Sequence, residues 1–165
     1  MTRRVAHGTL ATLLLLALPC VAAQDADRFA RRYGHGATAL EDDPVWIVER
    51  RQETWQVRLA ANGEVADAHR LNAKGRAGFW DRMTWPAATA SEADCLTWGE
   101  KPASLADFLD DSPPSPAPAG DDYGNAVLCH VPAAHRAQID WLSTHGSDWF
   151  YYDPMFGVME VHPLP

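Results

Sequence analysis

Residues 54–59 alternate without a fault, setting Trp55, Val57 and Leu59 on one side of the chain and Thr54, Gln56 and Arg58 on the other. A period of two belongs to a half-buried β-strand. Asn62-Gly63 follows, a pair suited to a hairpin turn that needs positive φ. A two-residue turn there places Arg58 opposite Asp67 and Leu59 opposite Ala66. It also gathers Trp55, Val57, Leu59, Ala66 and Ala68 on one inner face. The chain must therefore build at least part of its core on antiparallel sheet.

Further strands are expected at 45–49 and 125–131, the latter with Val127, Cys129 and Val131 on one face and His130 on the other. Residues 149–152 and 158–162 read as a closing hairpin around Asp153-Pro154-Met155-Phe156-Gly157. The expected main helix runs from Pro132 to Gly146 and buries Ala134, Trp141 and Leu142. Shorter helical pieces are expected from Asp25 through Tyr33, at 79–83, in the Ala-rich stretch 86–95, and at 105–109 behind a Ser104 cap. Segregated hairpins do not suggest alternating βαβ units. The expected fold class is α+β: a small antiparallel β-sheet of about five strands, one main helix packed on one face, and a single disulfide. No internal repeat is visible.

The first 23 residues set the compartment. Arg3 and Arg4 open them, residues 10–18 are almost wholly apolar, and Val21-Ala22-Ala23 supplies a small-residue cleavage motif before Gln24. This is the pattern of a secretory signal peptide, too short to span a bilayer. Cys20 raises the alternative of a lipidated terminus, which rigid Pro19 just before it does not suit. Residues 24–165 then form one α+β domain, periplasmic or secreted, interrupted by a Pro-rich loop at 112–120.

Cys95 and Cys129 remain as an even pair in an oxidising compartment, where one disulfide is expected. It would close a loop of about 35 residues and contribute about 3–4 kcal/mol on the chain-entropy account. The whole chain carries net charge −8, and losing Arg3 and Arg4 makes it more acidic still. Such a surface disfavours nucleic acid and anionic lipid and favours a basic partner.

No His-Glu-x-x-His, Cys-x-x-Cys, Gly-x-Ser-x-Gly, Ser-x-x-Lys, EF-hand or phosphate-cradling glycine motif occurs. What remains is a histidine-rich C-terminal third: His130, His145 and His162, with Asp148 among them, could serve a metal or acid/base site. His135 lies on the same expected helix as His145, but roughly 15 Å and 80° away, too far to share an ion. Seven tryptophans could furnish a sugar-stacking platform or interface anchors. The reading favoured is an exported, acidic binding protein, an inhibitor or immunity factor against a basic envelope-directed enzyme, with no cofactor. Its partner would meet Asp110, Asp111, Asp121, Asp122, Trp149 and Tyr151. A small envelope hydrolase or metal-dependent enzyme using the histidines, and a carbohydrate-binding module using the tryptophans, are the alternatives.

Overall fold

The computed structural model describes residues 27–36, 43–101 and 119–165. The segment read as a signal peptide, Ser104 with the helix expected after it, Asp110, Asp111 and most of the Pro-rich loop lie outside those residues. The chain folds as eight antiparallel strands: β1 (Arg32–His35), β2 (Trp46–Arg51), β3 (Thr54–Leu59), β4 (Val65–Arg70), β5 (Asp94–Trp98), β6 (Ala126–His130), β7 (Trp149–Asp153) and β8 (Gly157–Leu164). Each pairs with the next, and β8 returns to β1, so the sheet closes into a barrel. The expected α+β layering, with about five strands and one packed helix, is thereby overturned.

Alternation along the strands divides the side chains between two cores. Tyr33, Trp46, Val48, Trp55, Val57, Ala68, Leu96, Trp98, Ala126, Leu128, Trp149, Tyr151 and Val161 fill the barrel. On β2 to β4 the opposite face is wet and charged, carrying Glu49, Arg51, Arg58 and Asp67. A barrel in a bilayer shows lipid an apolar belt and keeps its polar groups inside, the reverse of this arrangement. Among the described residues no helix is long and apolar enough to cross a membrane.

β5, β6 and β7 are buried on both faces. Their outer side chains Cys95, Val127, Cys129, Phe150 and Tyr152 pack under Leu71, Phe79, Trp80, Trp85, Ile139 and Leu142. Phe79 and Trp80 come from α1 (Ala73–Arg82), whose Asn72 cap accepts from the Lys74 and Gly75 N–H groups. Gly75 is required where α1 crosses the chain at Gly120, because a Cβ there would collide with the Gly120 carbonyl. The Ala-rich stretch holds a 3₁₀ turn, Ala87–Glu92, whose Thr89 hydroxyl accepts from the Trp80 indole at 2.8 Å.

The expected disulfide is present and joins directly opposite residues of β5 and β6, with Cα atoms 4.1 Å apart. Three other expectations need correction. The helix from Pro132 to Gly146 is only α2 (Ala133–Arg136) followed by turns, with Leu142 buried but Ala134 and Trp141 exposed. The Val131 N–H donates to the Asp148 carbonyl at 2.7 Å, whereas a continuous helix would hold those ends about 20 Å apart. Residues 28–31 turn and then enter β1 in place of an N-terminal helix, and Phe29 and Tyr33 are both buried. In the β3–β4 hairpin, Gln56 faces Asp67 and Arg58 faces Val65. A longer turn, closed by the Leu59 N–H on the Glu64 carbonyl with Gly63 at φ +73°, shifts the register by two and leaves every inner-face residue inside.

Candidate functional site at the barrel mouth

The two ends of the barrel are built differently. At the end where β1 begins, which we call the foot, Phe29 plugs the interior edge-on against Trp55 and Trp149, with centroids 6.0 and 5.5 Å away. Asp27 fixes the plug by accepting from the Phe29 N–H and the Trp55 indole, and the Tyr33 hydroxyl donates to the Phe29 carbonyl. The carboxylates around this end have cationic partners. Arg70 makes a two-point bond to Asp94, Arg28 lies 3.8 Å from Asp94, and Arg50 pairs with Asp27 while lying over the Trp55 ring.

Among the described residues the opposite end, the mouth, is open. A cavity of about 820 Å³ is walled by Trp46, Trp98, Tyr151, Val45, Val57, Leu59 and Met159. Two strand positions that could have filled it are Ala66 and Ala126. The Tyr151 ring lies between Trp46 (4.2 Å) and Trp98 (5.8 Å, stacked), so the aromatic wall is braced before any ligand arrives. Volume and lining are those of pockets that hold small molecules, about 300–1,000 Å³, and eight strands enclose about one such ligand.

The rim carries the polar groups. Asp153 Oδ1 accepts from the Met155 and Phe156 N–H groups, an Asx turn. That turn holds Met155 and Phe156 out in solvent, 83% and 68% exposed. Glu64, Glu100, Asn125 and His35 complete the polar lining. Burial, and then the neighbouring Asp153 carboxylate, push the Tyr151 phenol up, so it stays a neutral donor in the wall.

The site residues expected from sequence are scattered. Trp149 and Tyr151 point into the barrel and are buried, presenting no outer surface to a partner. Asp121 is held by Asn72 and Lys74, whose hydrogen bonds keep its carboxyl below the usual range, and Asp122 pairs with Lys101. His130 sits at the foot, 3.2 Å from Arg28 and against Trp149. Burial, with Arg28 adding to it, lowers the His130 imidazole. Asp148 pairs with Arg136. His162 donates to Glu160 at 2.9 Å, and the same carboxylate oxygen accepts from the Gly146 and Ser147 N–H groups. His145 Nδ1 is shielded there without a hydrogen-bond partner.

His130 is thus apart from His145 and His162, and among the described residues no three His, Cys, Asp or Glu side chains gather as a metal-ligand set. All seven tryptophans are described; six are buried and only Trp141 is exposed, at 71%. Sequence reasoning missed the mouth. Its one local signal was the turn 153–157, which places Met and Phe side by side where solvated turns favour small polar residues. No family model matches this chain, and neither a curated protein nor a solved structure does.

Proposed function

We propose that this protein binds one small, largely apolar ligand in the mouth of its barrel. The observation that carries the reading is the asymmetry of a single cavity wall: the foot is plugged by Phe29, while the same interior ends at the mouth in an open apolar cavity of about 820 Å³. An unfilled apolar space forfeits contacts that larger side chains at Ala66 and Ala126 would supply, and a ligand restores them. Titration with the neutral fluorophore N-phenyl-1-naphthylamine tests the proposal. Saturable one-to-one binding is expected, lost in A66F and in A126F while circular dichroism stays native. Absence of saturable binding to the wild type, or full binding by both filled variants, contradicts it.

A second reading keeps the basic protein partner. It is favoured by exposed Met155 and Phe156 on the same rim as Asp153 and Glu64, an apolar anchor set among carboxylates. M155S/F156S should abolish capture of such a partner, whereas A66F, which fills the cavity, should leave that capture intact. Export belongs to either reading, and a disulfide is compatible with it. An intact mass starting at Gln24 supports export with cleavage there, and a lipidated Cys20 contradicts it.

A further inference from the structure

We propose that the mouth selects ligands with a cationic end: amphiphiles whose apolar body enters the barrel and whose ammonium-type head remains at the rim. The inference rests on the binding reading above and adds the ligand class. Three carboxylates, Glu64, Glu100 and Asp153, line the cavity, and no Lys or Arg lines it with them. None of the three forms an ion pair with a described residue. Glu64 accepts from the Asn62 amide, and Asp153 accepts from two backbone N–H groups.

The nearest cations are turned elsewhere. Lys101 is paired with Asp122 at 3.1 Å, and Arg58 lies on the outer face of β3 opposite Val65. His35 and Tyr151 are the other titratable side chains in the lining.

The contrast with the foot makes the pattern specific. There Asp94 lies between Arg28 and Arg70 and Asp27 pairs with Arg50, so the carboxylates at the closed end have cationic partners while those at the open end have none among the described residues. Like charges at one rim repel, and a bound cation relieves that repulsion while the same field rejects an anion. The aromatic wall of Trp46, Trp98 and Tyr151 also favours a cation over a neutral head of equal size.

Three ligands with the same ten-carbon chain separate chain from charge: decyltrimethylammonium, 1-decanol and decyl sulfate, each used below its micelle concentration to displace N-phenyl-1-naphthylamine at low salt. The cation should displace at about tenfold lower concentration than the sulfate, with decanol between, each carboxylate supplying about two- to threefold. The triple variant E64Q/E100Q/D153N keeps an amide oxygen at the third position to accept from the turn. It should bring cation and sulfate within about twofold, with decanol still displacing the fluorophore. E49Q/D67N removes the same sign of charge from the outer wall and should preserve the wild-type ratio. Equal affinity for cation and sulfate in the wild type, or a preference that survives the triple variant, overturns the cationic selectivity alone. Failure of all three ligands to displace overturns the binding reading and the selectivity together.

Discussion

Glu160 holds more backbone than its place on an outer strand face would suggest. Burial raises its carboxyl, but the Ser147 and Gly146 N–H groups, then His145 and His162, outweigh burial and hold it below the usual carboxylate range. Through that one oxygen the long turn after β6 is fastened to β8. A depressed carboxylate contributes stability that is complete above its unfolded value, about 4.5, and is lost as pH falls through the folded value. E160Q should therefore lower the thermal midpoint at pH 7, and the gap to wild type should close progressively below about pH 4.5. His130 and His145 act earlier. Burial, then neighbouring cations at His130, lowers both imidazoles, so the unfolded chain takes up protons first and wild-type stability should begin to decline below about pH 6.5. Thermal melts of both proteins from pH 3 to 8 check these slopes. A gap between E160Q and wild type that is constant across the range would show that the carboxylate does not fasten the turn as a charge.

At the scale of elements, the disulfide is a rung in an existing ladder, set between opposite residues of two five-residue strands. Both cysteines are fully buried in the outer core. C95A/C129A should cost about 2–4 kcal/mol and leave the far-ultraviolet spectrum unchanged, since the β5–β6 hydrogen bonds persist. Chemical denaturation measures the cost, and loss of the strand spectrum would show instead that the bond is required for closure. β3, whose alternation is clean, was legible in the sequence at its observed bounds, and the β7–β8 hairpin was legible from its Asp153–Gly157 turn to within two residues. β5 was not, because burial on both faces erases alternation and leaves only an apolar run beside Ala-rich sequence. β1 has four residues and a glycine, too few to show a period. α1 contains Gly75 and Gly78, which read as breakers although Gly75 is there for close approach. Pro132 and Gly146 bracket a plausible helix by composition, yet the Val131–Asp148 hydrogen bond, 17 positions apart in the numbering, forces that segment to double back.

Closure decides the whole molecule. The pairing of β1 with β8 joins Arg32 to Leu164, a contact between chain regions that no local pattern announces, and an open sheet would show the same alternation. Without closure there is no interior, so the mouth residues could not be recognised as a set. Trp46 and Trp98 are 52 positions apart in the numbering and meet only through Tyr151. The disulfide pair was readable because its chemistry is local to two residues and a compartment. The tryptophans that closure distributes through the molecule now serve as reporters. Trp46 and Trp98 line the mouth, Trp55 and Trp149 meet the foot plug, Trp80 and Trp85 lie in the outer core, and Trp141 is in solvent. Indole N–H spectra of ¹⁵N-tryptophan-labelled protein titrated with 1-decanol put the binding claim to its most direct test. Saturable shifts of Trp46 and Trp98, with Trp80 and Trp85 unmoved, are the predicted result. Shifts confined to Trp141, or none at saturating decanol, would contradict a ligand site in the mouth of the barrel.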